Sequence, residues 1–223
     1  MSNTEAPQIR NMNDLAAMMR IIGNLFYRNP ECTVLISLYD MIFEGKIQSI
    51  WPLKHDDLFK RLEKSDKGKI ILEYKKLFEL HNAPVCLDII HLIENNEKEQ
   101  ALEFINRVIE ETAMPISQES NITHYGFLWL LLAWLETKRE EQVSEQQSSG
   151  NLSEQKKLVL EQLSENQSLL FFDFILPLSK KILSKIETYS QNDFYKVLAT
   201  ITRDLVDEFE IELSNDELSK AIE

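Results

Sequence analysis

The sequence predicts an all-α fold, a single-domain bundle of about ten helices. Three observations carry that expectation. Only five glycines and six prolines interrupt 223 residues, and the stretches between are rich in Leu, Ile, Glu and Lys, which sit comfortably in helices. Apolar residues recur three and four apart in segment after segment, the spacing of a single helix face. One run, Tyr125 to Leu135, is apolar on every side, so it must be covered on every side and belongs at the centre. It is too short for a bilayer, which takes roughly 20 such residues. With 43% apolar residues the chain can bury a substantial core.

Taken in order, Met1 to Gln8 is polar and expected to be frayed. Asn13-Asp14 can cap a first helix with Leu15, Met18, Met19, Ile22, Leu25 and Phe26 inward, stopped by Asn29-Pro30. Glu31 to Phe43 repeats the pattern through Val34, Leu35, Leu38 and Ile42, and Gly45 ends it. Pro52 disfavours helix at Trp51, so Ile47 to Leu53 reads as an extended connection. A short helix over 56–64, a turn at Ser65 to Gly68 and an amphipathic helix from Ile70 to Leu80 follow, the last carrying Tyr74, Leu77 and Phe78. Asn82-Ala-Pro84 breaks the chain before a short helix over Val85 to Glu94. Lys98 to Thr112 is longer, with Leu102, Ile105, Val108 and Ile109 inward.

The central helix is predicted to start where Ser120, Asn121 and Thr123 offer side-chain oxygens to the free N–H groups of its first turn, with His124 directly after. Near the positive end of a helix dipole a histidine is biased toward its neutral form. Beyond Glu136 the sequence is polar and low in complexity, which predicts a flexible loop over 138–152. Helix resumes at Leu152 to Glu165 with Ser153 as a cap. Pro177 either kinks the apolar stretch Leu169 to Leu178 or begins a new helix. Asp193 to Glu210 is helical, with Phe194, Val197, Leu198, Ile201, Leu205, Val206 and Phe209 on one side, and Ser214 to Ile222 is a short polar tail helix.

Lys and Arg number 24 against 37 Asp and Glu, a formal net charge of −13. That field repels nucleic acid and anionic membranes and attracts basic partners. Cys32 and Cys86 lie in separate apolar segments and read as small buried hydrophobes in a reducing cytoplasm.

No catalytic template fits. Lys67-Gly68-Lys69 lacks the glycine spacing of a phosphate loop, and there is neither a Cys-x-x-Cys pair nor a His-Glu-x-x-His helix. His55, His81, His91 and His124 fall in four segments, and Asp88-Ile-Ile-His91 comes closest to a di-iron spacing, once only. The expectation is a binding protein, not an enzyme, with no metal, cofactor or catalytic residue. Nothing in the chain supports guanine-nucleotide binding.

Several pieces together resemble the TorD/DmsD family of redox-enzyme maturation chaperones. They are Arg20-Ile-Ile-Gly-Asn-Leu-Phe-Tyr-Arg-Asn-Pro30, Trp51-Pro-Leu53, Tyr74-Lys-Lys-Leu-Phe78, the helix from His124 to Leu135, and Asp193-Phe-Tyr-Lys-Val-Leu-Ala-Thr-Ile-Thr-Arg203. Each is weak alone, but they occur in the family's order over nearly the whole chain. The resemblance implies a TorD-like architecture and a cytoplasmic chaperone with one client. Such a chaperone binds the twin-arginine signal peptide of a molybdenum-cofactor oxidoreductase, of the dimethyl-sulfoxide or trimethylamine-oxide reductase type, and holds the precursor for cofactor insertion before export. The alternative is a helical adaptor or regulatory protein that binds a folded partner. A monomer is expected, and the segment 142–151 is where a domain swap would exchange C-terminal helices.

The family's functional motif before the central helix is Glu-Pro-x-Asp-His. Here the aligned residues are Ser120-Asn-Ile-Thr-His124, so the histidine is kept and Thr123 stands in place of the aspartate. Glu119 is the nearby carboxylate able to substitute for it. Two further departures mark a divergent member. Glu79 to Leu87 replaces a Gly/Pro-rich loop with a Pro-Trp-Gly element, and Phe174 and Leu178 stand where His and Trp are usual. The candidate peptide-binding residues are therefore His124, Thr123, Trp51, Leu53, Tyr74, Phe78 and Glu119. Against them stand the plainer roles: core packing for Tyr74, Phe78, Trp129 and Trp134, a capping hydrogen bond for His124 and Thr123, and a solvated face for Asp207, Glu208 and Glu210.

Overall fold

The computed structural model describes residues 12–49, 51, 53, 55–63, 65–149 and 154–220. Met1 to Gln8, Pro52, the part of the polar loop at 150–152, the Ser153 cap and Ile222 lie outside them. Among the described residues the chain is an all-α bundle, nine α-helices with short 3₁₀ and π turns between them. The one β-type pairing there is an isolated bridge between Asp88 and His124.

The bundle is organised on the pair α1 (Met12–Tyr27) and α6 (Tyr125–Ser149). Two glycines let their backbones touch. A Cβ on Gly126 would lie 2.5 Å from the backbone nitrogen of Tyr27 and 2.7 Å from the carbonyl oxygen of Gly23, separations no side chain tolerates. All six inward positions expected of α1 are buried, and Trp129 of α6 is fully enclosed. Trp134 is partly buried and donates its ring N–H to the Thr112 hydroxyl at 3.1 Å.

Helix α2 (Ile36–Phe43) is shorter than the spacing suggested. The Asn29-Pro30 turn takes up Glu31 and Cys32, whose N–H groups bond to Asn29. A 3₁₀ turn at Thr33–Leu35 then leaves Val34 61% exposed, not inward. Gly45 ends the helix in the left-handed region, at φ 69°. Helix α3 (Asp56–Leu62) leads to α4 (Lys67–Tyr74), which Asp66 caps by accepting the N–H of Lys69 at 2.9 Å. The helix expected through Leu80 widens instead into a π turn, Lys75–Glu79, closed by the N–H of Leu80 donating to the carbonyl of Lys75.

The segment from Val85 to Glu94 is not the short helix the spacing suggested. Its backbone runs extended as far as Asp88, because its groups bond to the start of α6: Tyr125 N–H to Leu87 O at 2.7 Å and Ile89 N–H to Thr123 O at 2.9 Å. A 3₁₀ turn at Ile89–His91 follows, then α5 (Lys98–Glu111).

The expectation of a flexible loop over 138–152 fails as far as it can be followed, since α6 continues without a break to Ser149. Apart from Val143 the residues over 138–149 are Lys, Arg, Glu, Gln and Ser, polar but mostly strong helix formers. Side-chain pairs reinforce them, Lys138 with Glu141 at 2.7 Å and Glu145 with Lys156 of the next helix at 3.1 Å. Helix α7 (Glu154–Leu169) returns along α6, and the buried Glu136 carboxylate joins the two, accepting from Arg139 at 3.1 Å and from the Gln167 amide at 2.6 Å. A second π turn, Leu170–Ile175, precedes α8 (Leu176–Tyr189), which has Pro177 in its first turn. Lacking an N–H, Pro177 cannot bond to the Asp173 carbonyl four residues back, and the helix widens just before it.

Between α8 and α9 (Asp193–Lys220) the chain turns on the buried Glu73. One of its oxygens accepts from the Ser190 hydroxyl, from the N–H of Gln191 at 2.6 Å and from that of Asn192 at 3.1 Å. All seven apolar residues expected on the inner side of α9 are buried. The helix runs on through Lys220, so its tail is not a separate element. Cys32 and Cys86 are free thiols, each partly exposed, not fully buried. Among the described residues no helix is long and apolar enough to cross a membrane.

Candidate functional site

The start of α6 is where the sequence places its strongest candidate. The side chains there work differently from the expected cap. Asn121 accepts the N–H and the hydroxyl of Thr123 at 3.2 and 2.8 Å, which locks the turn before the helix. Thr123 therefore spends its hydroxyl on Asn121 and caps nothing. The cap is His124 itself, whose Nδ1 accepts the N–H of Gly126 at 3.0 Å. An acceptor at Nδ1 requires an unprotonated nitrogen, so the neutral ring carries its hydrogen on Nε2.

Burial is the main force on this ring. It pushes the His124 pKa down to about 4, against a smaller upward pull from the Asp88 carboxylate. The direction agrees with the neutral form expected from the helix dipole, but desolvation is the larger cause. Nε2–H, the donor left over, has no acceptor among the described residues. The imidazole stands edge-on to Tyr27, ring centroids 5.2 Å apart, and the Tyr27 hydroxyl accepts the N–H of Asn121 at 2.8 Å. Arg28 lies over the other part of this aromatic group, 5.8 Å from the Tyr27 centroid.

Asp88 places a carboxylate charge near His124. The extended segment pairs Asp88 with His124 in the isolated bridge, and one Asp88 oxygen caps the following 3₁₀ turn by accepting the N–H of Ile90 at 3.1 Å. Nothing in linear spacing links residues 88 and 124, so the sequence reading missed Asp88. It missed Tyr27 for the same reason. Glu119, named as the substitute carboxylate, is exposed in the loop between α5 and α6.

The C-terminal end of α1 connects this cluster to a second part of the predicted site. The Tyr74 hydroxyl points to the Phe26 carbonyl at 3.5 Å, and Asn29 donates to Glu79 at 2.8 Å. Tyr74 and Phe78 are in contact, centroids 5.1 Å apart, and Phe78 meets Tyr195 edge-on at 5.6 Å. Tyr74 is 5% exposed, and burial, then the Glu79 charge, raises its pKa to about 12. Phe78 stays partly exposed, and Leu80, two residues on, is 57% exposed. One end of the bundle thus combines Phe78, Leu80, Tyr27 and His124 with the carboxylates of Glu79 and Asp88.

Trp51 and Leu53 are elsewhere. Trp51 is 7% exposed, packs edge-on to Phe59 and donates its ring N–H to Nδ1 of His55 at 3.0 Å. Nε2 of His55 lies 2.8 Å from Asp204 on α9. This Trp51–His55–Asp204 chain clasps α3 to α9 and leaves Trp51 little surface to offer. Leu53 is partly buried against the core. Among the described residues no group of three or more His, Cys, Asp or Glu side chains converges as metal ligands would.

No family model matches the chain. It is similar to the chaperone protein YcdY of Escherichia coli (strain K12), 28% identical over 206 residues that cover 92% of this chain and 98% of that protein. It is also 25% identical over 203 residues to an uncharacterized protein of Haemophilus influenzae (strain ATCC 51907 / DSM 11121 / KW20 / Rd), with 88% of this chain and 93% of the relative covered. One of these relatives is named a chaperone, and both matches run along almost the full length of the two partners.

Proposed function

We propose that this protein is a cytoplasmic maturation chaperone that binds the twin-arginine leader of a molybdenum-cofactor oxidoreductase precursor. It holds the precursor until the cofactor is in place and thereby delays export. The observation that carries this reading is the near full-length similarity to a chaperone, joined to a histidine kept at the start of α6 where the resemblance puts the family's motif.

The chemistry of that end suits a leader. A leader has a basic start and an apolar middle, so it needs carboxylates beside apolar surface. Asp88 and Glu79 provide the first, and Phe78, Leu80 and Tyr27 the second. The Nε2–H of His124 adds a neutral donor for a backbone carbonyl. Burying four or five large apolar side chains gives on the order of 10 kcal/mol gross, from which ordering a disordered peptide removes about 2–5 kcal/mol. The remaining roughly 5–8 kcal/mol corresponds to an affinity between about 200 μM and about 1 μM. The net charge of −13 speeds encounter with a basic peptide, and salt weakens that advantage.

Calorimetric titration with a synthetic twin-arginine leader tests this, at low and raised salt and with His124→Ala. Micromolar, salt-weakened binding that the substitution reduces is the expected result. If no such leader binds while the variant and the parent keep their fold, the adaptor reading replaces this one.

A further inference from the structure

A second apolar surface lies on the other side of the Asp88 segment. Between α5 and the π turn Leu170–Ile175 is an open groove of about 490 Å³. Its apolar walls are Phe104, Leu169, Phe172 and Phe174, and Glu97 and Asp173 sit at its rim. Phe104 and Phe174 stack, with centroids 5.5 Å apart and ring planes at 19°. The π turn creates this surface. It sends Phe171 and Ile175 into the core and leaves Phe172 and Phe174 partly exposed, a display that a regular helix, with its tighter turn, would change.

Chemistry selects the occupant. None of the residues lining the groove is basic, so anionic lipid headgroups find no partner in it. A second copy of this chain, at net charge −13, meets like charge at the rim. A peptide with apolar side chains next to a basic one satisfies both the phenylalanines and the two carboxylates.

The groove also adjoins the site at α6. Ile93 lines it, and the N–H of Ile93 bonds to the carbonyl of Ile89, the residue whose own N–H bonds to Thr123. Only the short stretch from Ile89 to Ile93 separates the two sites along the chain. We infer that the Phe104–Phe172–Phe174 groove seats a further stretch of the leader's apolar middle, beyond the part on Phe78, Leu80 and Tyr27, with Glu97 and Asp173 facing the basic side chains that flank it. This rests on the leader reading and adds a second contact to the one at His124.

The test uses the full chain with p-benzoylphenylalanine in place of Phe104, and separately the double variant Glu97→Lys with Asp173→Lys, both positions being exposed. The probe is a synthetic peptide of two adjacent arginines followed by a leucine-rich segment. A control peptide has its leucines replaced by serine. Photo-crosslinking at position 104 and affinity about tenfold weaker, both for the double variant and for the serine peptide, are expected. If the parent binds the probe, the double variant binds it equally well and nothing crosslinks, the groove assignment is wrong while the leader reading stands. If the parent does not bind the probe, the leader reading fails. A leucine-rich peptide with single, separated lysines then decides the groove: crosslinking at 104 retains it as a site for apolar, basic segments, and none overturns it.

Discussion

His124 meets Tyr27 edge-on, ring centroids 5.2 Å apart at an interplanar angle of 81°, while its Nδ1 caps α6. One residue therefore fixes three things: the start of the central helix, the end of α1 and the protonation state of the site. Predictions about stability and about binding meet at this contact.

Acid should weaken the fold through His124. Its pKa is near 4 in the folded chain against 6.5 in the reference state, so between those values the unfolded chain holds more protons and stability rises with pH. This contribution is complete above about pH 6.5 and fades as pH falls toward 4, up to about 3 kcal/mol in all. Urea unfolding from pH 4.5 to 7.5 checks it. His124→Asn, which still caps a helix, should show the shallower pH dependence; equal slopes for parent and variant would sink the assignment.

Adding one methyl group at Gly126 should be costly. The Cβ of Gly126→Ala meets backbone atoms of α1 at 2.5 and 2.7 Å, and a backbone cannot swing aside as a flexible side chain can. A loss of about 2–3 kcal/mol is expected, read from the urea midpoint. A neutral substitution would mean that α1 and α6 are not packed backbone to backbone.

Glu73 ties α4 to the turn between α8 and α9. Glu73→Ala leaves two backbone N–H groups without their acceptor and the Ser190 hydroxyl with the Asn192 carbonyl alone, at 3.1 Å, for a cost of about 2–4 kcal/mol, whereas Glu73→Gln keeps an oxygen there and should lose less. Hydrogen exchange at Gln191 and Asn192 should accelerate in the alanine variant. Unchanged exchange would show that the turn holds without the carboxylate.

The polar half of α6 offers a direct choice between loop and helix. Proline is tolerated in a flexible loop but costs about 3 kcal/mol inside a helix. Gln142→Pro should therefore lower both stability and helical circular dichroism. A variant indistinguishable from the parent would restore the loop.

Much of the architecture could be read directly from the chain. Spacing of three and four identified the buried faces of α1 and α9, and the all-apolar run from Tyr125 identified the central helix. Those signals survive because burial of a helix face depends on local period alone. The polar stretch after Glu136 is helix and not loop because low hydrophobicity does not entail lack of structure, and the propensity of Glu, Gln, Lys and Arg favours helix.

By itself the sequence determined that this protein is helical, acidic and centred on α6, and that His124 marks one end of that helix. Only the tertiary structure decided what His124 meets. Asp88 reaches it because the backbone after Pro84 bonds to the start of α6 instead of coiling into a helix of its own, and Tyr27 reaches it because Gly23 and Gly126 bring two helices into contact. The two π turns were equally out of reach. Each is a choice between i→i+4 and i→i+5 bonding that differs little in local energy, so packing decides it, and with it which phenylalanines face outward.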